Sequence, residues 1–213
     1  MIPLKRIVIT LLLIIEVSTA LAAKIPEHSK VIIMNFGTLN NSKISGLNLV
    51  DIEKPLYDYI INCITDDNRL EVIELPEEQL KAENINTVGL ISPKDAKHIG
   101  ELCKIPYVIY GKLLNITADE TDVKILENGI TIHAVKAQVV IRMVDTSNGV
   151  VIAAVTGVGQ SKSSLVKAGA AEIVTVTIGT KIVTQDSVNH SLRKAVDNGI
   201  YELLFSLYGN KKK

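Results

Sequence analysis

Aromatic residues are scarce in this sequence, and neither sign of charge is in excess. The 213 residues include no Trp, two Phe and six Tyr, and 23 basic residues balance 23 acidic ones. A balanced charge gives no general electrostatic attraction to nucleic acid or anionic lipid. The longest basic run is Lys211-Lys212-Lys213, which is smaller than the clusters that hold proteins on membranes. We therefore expect no nucleic-acid partner.

Motifs of catalysis and of metal or phosphate binding are absent as well. The sequence has no GxSxG nucleophile turn, no HExxH zinc motif, no P-loop and no CxxC pair. Four histidines without ligand-like spacing are expected to be solvent-exposed: His28, His98, His133 and His190. We predict that the protein is not an enzyme, with no catalytic residue, no cofactor and no metal site.

Cysteine is limited to Cys63 and Cys103. Both fall on apolar faces of predicted helices, where a free cysteine packs as a small hydrophobic residue. An oxidising compartment would allow them to pair, but spacing along the chain does not establish the approach that a disulfide needs. Two buried thiols are the favoured interpretation, and a disulfide is the alternative.

The N-terminal residues have the three-part pattern of a secretory leader. Lys5 and Arg6 precede an apolar run at residues 7–15, and Ala20-Leu21-Ala22 supplies the small residues of a cleavage site. We therefore divide the chain into a signal peptide (residues 1–22), a linker (23–29), a single domain (30–210) and a basic tail (211–213). The first cysteine is Cys63, so the mature N-terminus is not expected to carry a lipid.

Apolar and alternating segments predict the strands. Five segments have the composition or alternation of β-strands: residues 29–37, 70–75, 107–115, 134–145 and 150–158. Asn128-Gly129 and Asn148-Gly149 predict hairpin turns. Gly157 and Gly159 lack dinucleotide-binding spacing and indicate a bulge or a close approach of backbone.

Four helices are predicted from 3.6-residue periodicity and end signals: residues 55–65, 76–85, 92–105 and 187–208. Pro55 is expected at the first turn of the first of them, where proline is tolerated. Ser92 and Pro93 form a strong helix start. Residues 38–46 read as a loop, 165–171 as a small-residue helix, and 173–183 as a partly exposed hairpin or loop. The predicted fold class is α+β, an α/β sandwich whose mainly antiparallel β-meander is covered by helices.

The segment at residues 105–164 carries a more specific pattern. The strand IPYVIYG, at residues 105–111, leads into two alternating strands joined by the turn Thr146-Ser147-Asn148-Gly149. A strand RLEVIEL (residues 69–75) comes before it, and a helix containing AVDNGIYELL (residues 195–204) closes the domain. In these features the chain resembles the CsgG family, the curli production assembly and transport component. The architecture is also similar to the N-terminal domain of TolB and to activator lipoproteins of cell-wall synthases.

This resemblance implies an oligomeric envelope component involved in secretion or in curli-like surface-structure assembly. It also implies homo-oligomers, an envelope partner or secreted substrate, and a periplasmic or outer-membrane-associated location. Peripheral association with the outer membrane fits the same expectation. The alternative is a monomeric periplasmic binding or regulatory module that engages a protein partner, since one fold supports many functions.

The family's best-known member inserts two hairpins per protomer into the outer membrane, and residues 115–135 and 163–184 correspond to them. The first segment contains Asp119, Glu120, Asp122, Lys124 and Glu127, and the second contains no aromatic residue. Lipid-facing strands need an apolar outer face and aromatic residues at both interfaces. We therefore do not expect this protein to perforate a membrane by itself.

Export with cleavage gives the first testable prediction. Intact-mass analysis of envelope material should show a mature protein that begins near Ala23 and carries no acyl group. Retention of Met1, or the added mass of a lipid, would contradict this expectation.

Overall fold

A computed structural model of the protein describes residues 25–37, 44–45, 50–74, 76–85, 88–121, 131–165 and 175–209. The predicted leader, the start of the linker, the Asn128-Gly129 turn and the basic tail lie outside these residues. None of the helices in the described part of the chain has the length and hydropathy to span a bilayer.

The described residues form eight strands and four helices. The strands are β1 (Ser29–Ile33), β2 (Ile44–Ser45), β3 (Leu70–Ile73), β4 (Tyr107–Thr121), β5 (Thr131–Asp145), β6 (Val150–Leu165), β7 (Thr175–Ile178) and β8 (Lys181–Thr184). The helices are α1 (Val50–Asp67), α2 (Glu77–Ala82), α3 (Pro93–Cys103) and α4 (Gln185–Tyr208).

The main sheet is mixed and has the order β3-β1-β4-β5-β6. Strand β1 runs parallel to both β3 and β4, whereas β4, β5 and β6 form an antiparallel meander. A smaller antiparallel sheet has the order β2-β7-β8. The predicted α+β sandwich with a helix-covered meander is therefore confirmed.

Helices cover both faces of the main sheet and bury a separate apolar cluster on each. On one face, Ile60 of α1 and Leu203 of α4 pack with sheet residues such as Ile141. On the other face, Leu80 of α2 and Ile99 of α3 pack over Val108 and its neighbours. Burial of apolar surface of this kind is the dominant favourable contribution to folding.

The meander shows the predicted alternation along β5. Its inward-facing residues are fully buried: Val135, Ala137, Val139, Ile141 and Met143. Lys136 is exposed on the opposite face, while Gln138 and Arg142 are partly exposed there. The period of two residues places each second side chain against α4.

The predicted turn at Asn148-Gly149 is confirmed. Gly149 has a φ of 76°, a left-handed conformation that favours glycine. The Asp145 carboxylate accepts hydrogen bonds from the backbone N–H of Ser147 (2.8 Å) and from the Asn148 side-chain amide (3.2 Å). Thr146, which is buried, donates from Oγ1 to the Ile105 carbonyl at 2.6 Å and so ties the turn to the end of α3.

The predicted start of α3 is also confirmed. Ser92 is the N-cap, and its Oγ accepts a hydrogen bond from the Asp95 N–H at 3.1 Å. The Asp95 carboxylate accepts from the Ser92 backbone N–H at 3.4 Å, which completes a capping box. Pro93 occupies the first helical turn, as expected.

The prediction for the start of α1 was wrong. The helix begins at Val50, and Pro55 lies inside it. Proline has no N–H, so the helix forgoes one backbone hydrogen bond at Pro55. The apolar stripe that follows, including Leu56, Ile60 and Ile64, is buried as predicted. Burial of this stripe gives the tertiary packing that stabilises the helix despite the proline.

Strand β6 is longer than predicted, because pairing with β5 continues to the pair Thr131 and Leu165. Leu165 therefore ends a strand, and the rest of the predicted small-residue helix lies outside the described residues. Strands β7 and β8 form the predicted hairpin, with Gly179 at its turn. The predicted loop at residues 38–46 contains β2, which pairs with β7.

The two cysteines are free thiols, and each is partly buried. Cys63 packs against the cluster under α1 and α4, whereas Cys103 packs against the cluster under α2 and α3. The sheet therefore separates the two sulfur atoms, which excludes the disulfide alternative in this fold.

Leu203, which has no exposed surface, gives a prediction about the packing of α4. Leu203→Ala should lower the free energy of unfolding by about 2–5 kcal/mol, because it removes buried methyl groups and leaves a cavity. Chemical denaturation measures this difference. Glu202→Ala, at the exposed neighbouring position, is the control and should leave the midpoint almost unchanged. Equal midpoints for Leu203→Ala and wild type would contradict the packing.

Candidate functional site

The residues with possible catalytic or metal-binding chemistry are not gathered into one place. In the described part of the chain, no group of three or more His, Cys, Asp or Glu side chains could hold a metal ion. His28 and His190 are exposed, and His98 is partly exposed, with Nε2 at 3.7 Å from Glu83 Oε2. His133 contradicts the expectation of exposure: only 7% of its surface is accessible, because it occupies an inward-facing position of β5.

Gly157 and Gly159 mark a close contact between β6 and α4, as the sequence predicted. A Cβ atom at Gly157 would overlap the backbone carbonyl of Ala195, and one at Gly159 would overlap that of Ser191. Gly199 on the helix is also tightly packed, since an added Cβ would lie 2.9 Å from Ile141 Cδ1. Only glycine allows the helix and the strand to come this close.

Side chains of α4 bind the backbone of β6, the outer strand of the main sheet. Asn198 donates from Nδ2 to the Val158 carbonyl at 2.7 Å, and Lys194 donates from Nζ to the Gln160 carbonyl at 3.3 Å. An outer strand exposes backbone groups that can pair with another chain, and covering them restricts such pairing. This edge is therefore partly covered by the helix.

An aromatic pair lies on the exposed side of α4. Tyr201 is 61% exposed and Phe205 is 43% exposed. Their rings are stacked with centroids 6.3 Å apart and an interplanar angle of 15°. They are two of only eight aromatic residues in the chain. Exposed aromatic side chains are typical of interaction surfaces, where they are enriched.

A polar junction connects α1 with α4. The Asp197 carboxylate accepts hydrogen bonds from the Tyr59 hydroxyl at 2.7 Å and from the Cys63 thiol at 3.4 Å. The Arg193 guanidinium lies 5.7 Å from the centroid of the Tyr59 ring. Burial and the nearby Asp197 carboxylate raise the pKa of the Cys63 thiol to about 11 and also raise the pKa of Tyr59. A thiol with a raised pKa is a weak nucleophile at neutral pH, so this junction is structural.

A groove of about 450 Å³ lies between α1, β3 and the start of α2. Its apolar lining comes from Tyr57 and Ile61 of α1 and from Val72 of β3. Its polar lining consists of Asp58, Thr65, Glu74 and Glu77. No single sequence motif indicated this groove, because its walls come from separate elements.

The side chains that line the groove change the pKa values of two of its members, Tyr57 and Glu77. Burial raises the pKa of the Tyr57 phenol, and the charges of Glu77, Glu74 and Asp58 raise it further. Lys81 donates to Glu77 at 3.0 Å, and Asn35 donates to it at 3.3 Å. These contacts, with the Lys81 hydrogen bond as the largest influence, hold the pKa of Glu77 below its usual range. The groove therefore presents carboxyl side chains around an apolar floor, and the lowered pKa of Glu77 keeps that group ionised at neutral pH.

Residues 50–212 match the family described as Curli production assembly/transport component CsgG. Among solved structures, the chain is similar to the hypothetical protein CT253 from Chlamydia trachomatis, with a TM-score of 0.52 and 13% identity over 85% of this chain and 99% of that chain. At this identity the likeness concerns the fold alone. No curated protein matches the chain.

Two further structures have lower similarity. A PelC dodecamer from Paraburkholderia phytofirmans gives a TM-score of 0.45 and 14% identity, over 88% of this chain and 93% of that chain. The LpoB C-terminal domain from Salmonella enterica gives a TM-score of 0.44 and 14% identity, over 68% and 91% of the two chains.

The Asp197 junction leads to a prediction about thiol reactivity. In a Cys103→Ser background, Asp197→Asn should lower the pKa of Cys63, because the neutral amide no longer opposes formation of the thiolate. Reaction with Ellman's reagent at pH 8 should then be about three- to ten-fold faster. In a Cys63→Ser background the same change should leave Cys103 unaffected, since burial alone raises the pKa of that thiol. An unchanged rate at Cys63 would contradict the described contact.

Proposed function

We propose that this chain, which belongs to the CsgG family, is a non-enzymatic exported envelope protein that works as an oligomeric component of secretion or curli-like surface-structure assembly. The observation that carries this proposal is the family match, which covers residues 50–212. The leader pattern at residues 1–22 supports export to the periplasm or the outer membrane, without a lipid on the mature N-terminus. The protein acts by binding other proteins and needs no cofactor.

The outer face of α4 supports self-association. Tyr201 and Phe205 expose a stacked aromatic surface on a helix whose opposite side is held firmly on the sheet. A rigid aromatic pair can enter a pocket on a second copy at little entropic cost, which makes such residues frequent centres of binding energy. We propose that the contact between copies lies on this face, called the α4 aromatic face below.

The β7–β8 hairpin supplies a second surface for the same purpose. Ile182 on β8 is 50% exposed, and β8 is an outer strand of the small sheet in the described residues. An outer strand with an exposed apolar side chain pairs readily with another chain.

A monomeric module that engages a protein partner is the second candidate. The hydrogen bonds from Asn198 and Lys194 to the backbone of β6 favour it, because they occupy carbonyl groups that a second copy would otherwise use. In this alternative, the α4 aromatic face would bind a different protein. The oligomeric state distinguishes the two candidates.

Size-exclusion chromatography with light scattering tests the proposal on the mature protein, in buffer and in mild detergent. Wild type should have a mass several times that of the monomer. The double variant Tyr201→Ser/Phe205→Ser should shift toward the monomer, since it removes the apolar contact area. Glu202→Ser, an exposed change between the two aromatic positions, is the matched control and should keep the wild-type mass.

A monomeric wild type at high concentration in both solvents would support the monomeric module instead. An oligomer that the double variant leaves intact would place the contact between copies elsewhere on the surface.

A further inference from the structure

The groove between α1 and β3 lies beside the outer edge of the main sheet, on the side of β3 that faces away from β1. Strand β3 pairs with β1 on one side, and in the described part of the chain no strand pairs with its other side. The Arg69 carbonyl accepts a hydrogen bond from the His28 N–H at 2.9 Å, so the peptide groups of Arg69 face β1. Successive residues of a strand direct their backbone N–H and C=O groups to opposite sides. Leu70 and Val72 therefore direct their N–H and C=O groups outward.

The length and lining of the groove suit an extended segment of polypeptide. Tyr57, Ile61 and Thr65 follow one another at intervals of four residues along α1 and line it from end to end. Eight residues of helix extend about 12 Å, which is the length of about four residues of an extended chain. Tyr57 and Ile61, together with Val72 of β3, offer apolar contacts to the side chains that point inward.

The negative charge of the groove indicates that the bound segment is basic. Asp58, Glu74 and Glu77 contribute carboxylates, and Lys81 is the cation paired with Glu77 among the described contacts. These carboxylates do not form a group that could hold a metal ion in the described part of the chain. Separated carboxylates around an apolar floor match the alternating basic and apolar side chains of an extended peptide.

We infer that this groove binds an extended, lysine- or arginine-bearing segment of a protein partner, which adds to the outer edge of β3. The segment's backbone pairs with Leu70 and Val72, and its apolar side chains contact Tyr57 and Ile61. Its basic side chains reach Asp58 and Glu74. Strand addition of this kind gives affinity through main-chain hydrogen bonds and specificity through alternate side chains.

Isothermal titration of the mature protein with a capped hexapeptide of alternating valine and lysine provides the test. The expected result is saturable binding that weakens as salt is raised, because the carboxylates are exposed and screened. A hexapeptide of alternating valine and glutamate should not bind. Failure of the lysine peptide to bind, or equal binding of both peptides, would overturn the inference.

Two N-methylated forms of the lysine peptide separate strand addition from simple charge attraction. An added strand uses the N–H groups of alternate residues, so methylation of one alternate set should abolish binding. Methylation of the other set, which faces away from β3, should preserve it. Equal affinities of the two methylated peptides would show that the backbone does not pair with β3.

A pair of charge-reversing variants locates the binding. Glu74→Lys should weaken binding of the lysine peptide by about ten-fold or more, because it places a like charge in the groove. Glu101→Lys changes the net charge equally but lies exposed on α3, so binding should be retained. Equal losses in the two variants would show that net charge alone attracts the peptide.

Peptide binding in the groove does not depend on self-association through the α4 aromatic face. The variant Tyr201→Ser/Phe205→Ser should bind the lysine peptide as wild type does, whatever its oligomeric state. A protein that proves monomeric therefore leaves the groove testable, and a groove that fails to bind leaves the proposed self-association standing.

Discussion

The close contact between α4 and β6 is the interaction on which the rest of the structure depends. At Gly157 and Gly159 the strand meets the backbone of the helix with no side chain between them. This approach lets the helix reach the inward-facing row of β5, where residues such as Ile141 are fully buried. Without it, one face of the meander would remain in water, and the apolar burial that stabilises the sandwich would be lost.

Helix α4 covers only one of the two edges of the main sheet. Asn198 and Lys194 bind the backbone of β6, so that edge is partly covered. At the opposite edge, β3 borders an acidic groove, and its outer side has no pairing strand among the described residues. The fold thus presents an exposed aromatic pair on α4 and, among the described residues, a β3 edge without a pairing strand on its outer side. The proposed self-association and the proposed peptide binding depend on these two separate surfaces.

Polar groups of the described domain mainly connect structural elements. Thr146 ties the meander to the end of α3, Asp197 joins α1 to α4, and Ser161 donates to the Ser187 carbonyl at 2.5 Å. A buried polar group is costly unless it is hydrogen-bonded, which explains the pairings of the buried Thr146 and Ser161. His133 is the exception, since its buried Nδ1 has no partner in the described residues. These hydrogen bonds hold the elements of the fold together, and within the described ranges the His, Cys, Asp and Glu side chains form no group that could hold a metal ion.

Local signals were sufficient to predict the capped start of α3 at Ser92, the turn at Asn148-Gly149 and the buried stripe of α4. Each depends on residues close together in sequence, through helix periodicity or the conformational freedom of glycine. The sequence also determined the family and indicated the close approach at Gly157. Contacts with residues far away in the sequence decided three other features. These are the start of α1 before Pro55, the length of β6 and the burial of His133. Only the tertiary structure decided the groove, because Tyr57, Val72 and Glu77 belong to three elements that sheet pairing and helix packing bring together.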